Sequence, residues 1–300
     1  MANSSNVVGH IALDWLSQSP GMIILGITSK GVFLKLSTDK IIFLTNIPDY
    51  GPINISTESE IPNLWKIHDA IQVDLSEKTI SLKHEYACLD LSPYQIWEIP
   101  DPPRYSISLE EQNHRLQQAA RQIRIIKGQE GFSLFLNMLN GEPPMELSLQ
   151  LTEIWDHILQ IRSAFLTQDE MEILKHASPI IGYGRGLTPS GDDFFCGLLF
   201  TLNRVIVEEK FLNFIQSVNK QILKIAEEKT NSISQSLLFS ATKGSADVRI
   251  QNAVDVLIDG SIDFKDQAIQ MTRYGHSSGA DIFVGITIAI HIIQERMEAK

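Results

Sequence analysis

The first hundred residues alternate short apolar runs with turn residues, which is the pattern of closely spaced β-strands. Turn residues such as Ser29-Lys30-Gly31 and Ser76-Glu77-Lys78 separate neighbouring runs. The predicted strands cover residues 22–27, 32–36, 41–45, 67–75, 79–82 and 87–91. Strands this short and this close together predict a small antiparallel sheet or barrel.

A proline-rich stretch, Ile99-Pro100-Asp101-Pro102-Pro103, ends this β-like region. Three prolines in four residues exclude the interior of a helix or a sheet. We therefore expect a β-rich N-terminal domain at 1–103, with its linker at 99–103, and a larger all-α domain at 104–300. The predicted fold class is α+β.

Beyond the linker the apolar positions follow the period of an α-helix. Ser108 and Glu111 form a capping box, and Gly128 ends the helix that follows. Further helices are predicted from Thr152, after a cap at Thr167, and over residues 211–228, 237–242, 246–258 and 263–273.

Four glycines between residues 182 and 191 precede another apolar helix, in the string Gly-Tyr-Gly-Arg-Gly-Leu-Thr-Pro-Ser-Gly-Asp-Asp. A helix that starts at Ser190 or Gly191 would direct free backbone N–H groups into this loop. Such a helix end suits phosphate or a carboxylate. The string is not a Walker loop, because Asp192-Asp193 stands where that motif has Lys-Ser or Lys-Thr.

The pattern returns 88 residues later as Ser-Gly-Ala-Asp-Ile-Phe-Val-Gly, beginning at Ser278. Asp193 and Asp281 occur in both copies and are predicted to be structural caps. Asp192 has no counterpart, because Ala280 takes its place, so Asp192 is the functional candidate: a ligand for Mg²⁺ or an acceptor for a substrate N–H or O–H. The alternative is that Asp192 also only caps its helix. Gly197 and Gly285 would let the two helices cross closely, bringing both loops together.

Residues on and around both loops complete the predicted site. Asp192 and His276 are the catalytic candidates, either of which could remove a proton as general base. Thr230 and Ser234 lie four residues apart, so they either present hydroxyls to the ligand or bond back to helix carbonyls. The substrate-binding candidates are Gly184, Arg185, Gly186, Thr188, Ser190, Gly191, Thr230, Ser234, Arg273, Ser277 and Ser278.

Composition narrows the classes of function. The formal net charge of −11 argues against nucleic-acid binding and against an anionic membrane surface. Two cysteines form no disulfide framework, the N-terminal residues show no basic signal-peptide region, and the apolar run 282–293 is too short to span a bilayer. We expect a cytoplasmic protein. No cofactor is certain, although Mg²⁺ would suit Asp192, and no zinc-ligand spacing appears.

The string Leu-Thr-Pro-Ser-Gly-Asp-Asp at 187–193, with the later Gly-His-Ser-Ser-Gly-Ala-Asp at 275–281, resembles a bacterial family catalogued as a domain of unknown function. That family includes a subunit of oxamate carbamoyltransferase, from anaerobic allantoin degradation and thus purine catabolism. Thr230, Ser234, Leu238 and Gly244 resemble its middle block. The resemblance implies partner subunits, one similar to acyl-CoA ligases, and transfer of a carbamoyl group between oxamate nitrogen and phosphate.

The sequence is compatible with three functions. The first is a subunit of a carbamoyl-transfer enzyme that acts on oxamate or oxalurate and carbamoyl phosphate, or on a similar small acidic metabolite. The second is a non-catalytic ligand-binding or scaffolding subunit of such a complex. The third, a stand-alone metal-dependent hydrolase, is weakened by the lack of a His/Cys/Asp cluster with zinc spacing.

Overall fold

The computed structural model describes residues 6–19, 21–76, 79–139, 141, 147–260 and 264–299. The chain divides into two compact units, Met1–Pro100 with Ala246–Val248, and Asp101–Ser245 with Arg249–Lys300. The predicted α+β class is confirmed, since a mixed nine-stranded half-barrel sheet precedes a mostly helical region. That these regions are independent domains stays a prediction.

The sheet of the first unit is mixed, whereas an antiparallel sheet or barrel was the prediction. Its strands are β1 (Asn6–Gly9), β2 (Gly21–Thr28), β3 (Gly31–Leu36), β4 (Ile41–Thr45), β5 (Asn54–Ser56), β6 (Ala70–Ser76), β7 (Thr79–His84), β8 (Ala87–Asp90) and β9 (Tyr94–Trp97). Their order is β8-β7-β6-β2-β3-β4-β5-β1-β9. The pairs β4–β5 and β1–β9 are parallel. The first pairing is parallel because the loop over residues 46–53 returns the chain to the starting end of β4 before β5 begins. Of the predicted turn at 76–78, residues 77 and 78 lie outside the described part.

Alternating side chains of the strands form the core of this unit. Ile24, Leu34 and Ile42 are fully buried on neighbouring strands, as the period of two requires for one covered face. A short helix that was not predicted, α1 (His10–Ser17), adds the buried Trp15. Its apolar positions recur at helical spacing, so the signal was present in the sequence.

The second unit is built from helices, and its described residues contain no strand. Its helices are α2 (Leu109–Lys127), α3 (Phe135–Leu139), α4 (Leu149–Thr167), α5 (Glu170–Ala177), α6 (Ser190–Val205), α7 (Glu209–Lys229), α8 (Ser232–Thr242), α9 (Val248–Asp259), α10 (Phe264–Thr272) and α11 (Ser278–Glu298). The cap predicted at Ser108 is confirmed, since its side chain accepts from Glu111 N. The starts predicted at Thr152 and Thr167 are wrong, because Ser148 and Asp169 cap those helices. Asp263, the predicted start of α10, lies outside the described residues.

Two of these helices, α6 and α11, pass through the centre of the unit. Nearly every residue of α6 is buried, and so is most of α11. By length and composition α11 would also reach across a membrane, but 89% of its most apolar window is buried inside the protein. Burial on all sides is the property of a core helix. The two helices carry one glycine loop each at their N-terminal ends, and they therefore position the candidate site.

Candidate functional site

The two glycine loops meet in space, as the sequence predicts. Thr188, just before α6, and Ser278, the first residue of α11, place their hydroxyl oxygens 3.1 Å apart. The helices behind them cross where Gly197 and Gly285 remove side chains from the contact. The first turns of α6 and α11 therefore lie side by side, and both loops border the same spot.

Each loop is closed by a backbone hydrogen bond from the second residue of its helix to a tyrosine carbonyl oxygen. The N–H of Gly191 donates to Tyr183 O at 2.9 Å, and the N–H of Gly279 donates to Tyr274 O at 2.9 Å. Gly184, at φ +118°, lies so close to the helix start that a Cβ there would be 2.6 Å from Ser190 N. Glycine at this position therefore lets the loop fold back onto α6.

The backbone donors of both helix starts are largely used inside the helices. The N–H groups of Asp192 and Asp193 donate to Pro189 O, and those of Ala280 and Asp281 donate to Ser277 O. An anion held by the backbone of residues 190–192 would have to displace such bonds. The geometry gives less support to the predicted backbone anion site than the sequence alone did.

Asp192 fastens the first loop to the segment before α8. Its Oδ1 accepts from Gly182 N at 2.7 Å, and its Oδ2 accepts from the Thr230 hydroxyl. Ser234 is fully buried nearby, although its oxygen makes no hydrogen bond of ordinary geometry to a described residue. Burial raises the pKa of Asp192, and the bonds from Thr230 and Gly182 together with the Ser234 hydroxyl oppose that rise. Thr230 and Ser234 thus face Asp192, a role that neither sequence alternative described.

Asp193 does not cap its own helix, so that prediction is wrong. The N-terminal cap of α6 is Pro189, which makes no side-chain cap bond. The Thr188 hydroxyl donates to Asp193 Oδ2 at 2.9 Å, while Oδ1 is buried without a hydrogen-bond partner among the described residues. This difference has a simple cause: because the N-cap is Pro189 and not Ser190, Asp193 lies one position beyond the third helical residue, from which a capping box would reach back.

Asp281 also bonds outside its own helix. Phe132 N donates to Asp281 Oδ1 at 2.6 Å, and Oδ2 is buried with no partner in the described chain. Burial raises the pKa of Asp281 to about 6, against the Phe132 bond, the Ser190 and Ser277 hydroxyls and the charge of Lys127. Its predicted role as a cap of α11 is therefore replaced by a link to the segment that precedes α3.

Asp193 and Asp281 form a buried acidic pair between the two helix starts. Asp193 is 1% exposed and Asp281 is 0% exposed. Burial, and then the charge of Asp281, raises the pKa of Asp193 well above its usual range. Burial, and then the charges of Asp193 and Asp192, also raise the pKa of the neighbouring Cys196 thiol well above its usual range.

The comparison with known families covers this part of the chain. Residues 180–290 match the model of the family "Oxamate carbamoyltransferase subunit AllH". Residues 180–290, called the AllH segment below, are therefore similar to this family. The resemblance stated from the sequence is thereby confirmed, and the family is a subunit of a carbamoyltransferase, which implies partner subunits. No curated protein and no solved structure matches the chain.

The cationic candidates of the AllH segment lie at its surface. Arg185 and Arg273 are exposed, one on each loop, as are Gly184 and Gly186. His276 is 89% exposed, and its Nε2 lies 3.1 Å from Glu130 Oε1. These loop residues thus lie at the surface, whereas the carboxylates of Asp192, Asp193 and Asp281 are buried beneath it.

The sequence analysis did not identify the turn before α3, which packs against Asp281 of the AllH segment. A Cβ on Gly131, at φ +54°, would lie 2.3 Å from Asp281 Oδ1. Lys127 Nζ donates to the carbonyl oxygens of Gly275 and His276 and so fastens the second loop. The two glycines in Gly128-Gln129-Glu130-Gly131 were the available signal.

No group of three or more His, Cys, Asp or Glu side chains in the described part of the chain is placed to hold a metal ion. Asp192 has both oxygens engaged in hydrogen bonds. Its predicted role as an Mg²⁺ ligand stays a prediction. Among the described residues, the buried carboxylate oxygens without a hydrogen-bond partner belong to Asp193 and Asp281.

Proposed function

We propose that this chain is a subunit of a carbamoyl-transfer enzyme that moves a carbamoyl group between oxamate nitrogen and phosphate. The observation that carries the proposal is that the AllH segment, residues 180–290, contains both glycine loops and the start of both central helices. In this reaction the oxamate nitrogen attacks the carbamoyl carbon, the bond from that carbon to the phosphate oxygen breaks, and the nitrogen loses a proton. Oxalurate and phosphate are the products.

Both substrates are anions, and each loop offers one exposed arginine. Arg185 and Arg273 form no ion pair with another described residue. A guanidinium binds a carboxylate or a phosphate through two parallel hydrogen bonds. We therefore assign the binding of the anionic groups to these side chains, since the N–H groups of residues 191–193 and 279–281 already donate to carbonyl oxygens of the helix starts and loops.

The loss of a proton from nitrogen requires a base near the surface. His276 is exposed, and Glu130 orients its ring through the contact at 3.1 Å. An imidazole beside a carboxylate is a common arrangement for a general base. Asp192 was the other candidate, but it is 1% exposed and holds the first loop to Thr230. His276 is thus the base in this proposal, and Asp192 is a positioning residue.

One observation favours the second function, a non-catalytic subunit. Leu187 is 56% exposed on the first loop, next to the exposed 184–186 segment. Arginine is enriched at protein interfaces, and an apolar side chain beside it would add to a contact with a partner subunit. In that case Arg185 would stabilise the assembly and would not contact substrate.

The test is an assay of carbamoyl transfer with the chain co-expressed with its partner subunits. Arg185→Gln and Arg273→Gln should each raise the KM for oxamate or carbamoyl phosphate by about tenfold or more, since a charge-assisted hydrogen bond contributes about 1.5–3 kcal/mol. His276→Gln should lower kcat. Arg104→Gln, an exposed arginine of the same unit, is the matched control and should behave as wild type.

Assembly measured in parallel separates the two functions. Loss of partner binding in Arg185→Gln, with the kinetics of the remaining complex unchanged, would show that the loop is an interface. Wild-type kinetics and wild-type assembly in all three variants would refute the proposed site.

A further inference from the structure

Three carboxylates lie buried around the first turns of α6 and α11. Asp192 and Asp193 are each 1% exposed, and Asp281 is 0% exposed. Negative charges removed from water are strongly unfavourable unless a counter-charge or a full set of hydrogen bonds compensates them. Each carboxylate of this region must therefore either hold a proton or be compensated by donors or by a cation.

All three carboxylates accept hydrogen bonds, but only Asp192 accepts one on each of its two oxygens. Asp192 has donors on both oxygens, whereas Asp193 Oδ1 and Asp281 Oδ2 have none among the described residues. Lys127 is the cation that acts on Asp281, but its ammonium donates to the carbonyl oxygens of Gly275 and His276. Two acceptor oxygens thus face the interior without a donor.

Several hydroxyl side chains lie against these two carboxylates. Thr188 Oγ1 lies 2.9 Å from Asp193 Oδ2 and 3.1 Å from Ser278 Oγ. The Ser190 and Ser277 hydroxyls lie near Asp281. Carboxylate and hydroxyl oxygens suit hard cations and not zinc, which selects nitrogen and sulfur. Two ionised carboxylates balance the charge of one divalent cation, and Mg²⁺ sites commonly use one or two carboxylates.

We propose that Asp193 and Asp281 together hold a small divalent cation of the Mg²⁺ class between the first turns of α6 and α11. The ion would bind one carboxylate from each glycine-loop helix and so lock the two loops together. Asp192, the metal candidate of the sequence, is not part of this site. Binding of the ion does not depend on the proposed carbamoyl transfer.

Mn²⁺ is the probe, because its free form gives a strong electron paramagnetic resonance signal that disappears on binding. The protein, treated with a chelator and then freed of it, should bind one Mn²⁺ per chain saturably, and Mg²⁺ should displace it. Asp193→Asn and Asp281→Asn should each weaken binding by at least tenfold. Asp266→Asn, an exposed carboxylate on α10, is the control and should bind as wild type.

Circular dichroism of each variant shows whether it folds. Thr188→Val keeps both carboxylates and removes one neighbouring hydroxyl, so it should weaken Mn²⁺ binding severalfold and provides a second, milder test. The proposal is overturned if wild type shows no saturable Mn²⁺ binding, if K⁺ alone displaces Mn²⁺, or if folded Asp193→Asn and Asp281→Asn bind it unchanged. Because the assay contains no substrate, its result is independent of whether the chain takes part in carbamoyl transfer.

Discussion

Gly197 and Gly285 occupy equivalent places in the crossing of α6 and α11. A Cβ on Gly197 would lie 2.0 Å from Ile282 O, and a Cβ on Gly285 would lie 2.0 Å from Phe194 O. Gly285 and Ile282 lie 88 residues after Gly197 and Phe194, so the two contacts join equivalent positions of the repeat. The repeat in the sequence is therefore a repeat in the packing, and it is what brings both loops to one place.

Alanine at either glycine should destabilise the protein. A methyl group has no room at 2.0 Å from a carbonyl oxygen, so the helices must separate, and overpacking of a tight core costs about 1–3 kcal/mol. Urea unfolding of Gly197→Ala and Gly285→Ala should show a loss of that size. Gly26→Ala is the control, because its Cβ would meet only Phe33 at 3.9 Å.

The double variant tests whether the two contacts belong to one crossing. Once one alanine has moved the helices apart, the second should cost less, so the combined loss should be smaller than the sum of the single losses. Strictly additive losses would mean that the two glycines relax independently.

The two neighbouring aspartates should respond in opposite ways to the loss of charge. Asp192 accepts from Gly182 N and from Thr230, so asparagine would place its NH₂ group against a donor. Asp192→Asn should lose about 1–3 kcal/mol. Asp193→Asn keeps an acceptor for Thr188 and removes repulsion from Asp281, so its stability in chelator should be unchanged or higher.

Thermal melts of the two variants in one buffer with chelator provide the comparison, and each variant is the matched control of the other. An equal loss of stability in both would contradict the hydrogen bonds assigned to Asp192 and Asp193. This expectation reverses the roles that the sequence suggests, in which Asp193 is the structural cap and Asp192 is the functional candidate.

The sequence shows the two loops clearly but not the partners of their carboxylates. Ser, Gly and Asp recur in register, so the equivalence of the helix starts is readable from spacing alone. The partner of Asp281 is Phe132, 149 residues away, and that of Asp192 is Thr230, 38 residues away. No local periodicity encodes contacts of such separation, because tertiary packing decides which side chain reaches which backbone group.

The sheet shows the same limit. The positions of β2, β3 and β4 follow from alternation and turn residues. The parallel pairing of β4 with β5 depends on the path of the loop between them. Pattern reasoning identifies strands but does not follow that path, and it therefore favoured an antiparallel sheet.

Gly131 should be intolerant of any side chain. It has φ +54°, and a Cβ there would lie 2.3 Å from Asp281 Oδ1. Gly131→Ala should therefore lose about 2–3 kcal/mol, of which the left-handed backbone accounts for about 1–2 kcal/mol. Gly128 has φ +63° with nothing within 4 Å of its Cβ, so Gly128→Ala should show the backbone part alone. Equal losses in the two variants, measured by urea unfolding, would show that Asp281 moves away freely.

His291, on α11, should make stability depend on pH between about 4 and 6.5. Burial, and then the positive charge of Arg162, lowers its pKa to about 4, against an opposing effect of Glu295. Its Nδ1 is buried without a partner among the described residues. Between pH 6.5 and 4 the unfolded chain binds a proton at this residue while the folded chain does not. Its contribution to stability is therefore complete above pH 6.5 and is lost as the pH falls towards 4.

His291→Gln should remove that dependence. Because one unit of pKa difference corresponds to about 1.4 kcal/mol, the stability of wild type relative to the variant should fall by about 2 kcal/mol between pH 7 and pH 5. Urea unfolding at pH 7, 6 and 5 measures this difference, and contributions from other titrating groups cancel in it. His114→Gln, at an exposed position of α2, is the control for the His-to-Gln substitution itself. A constant gap between wild type and His291→Gln across this range would mean that His291 accepts a proton equally well in the folded and unfolded chain.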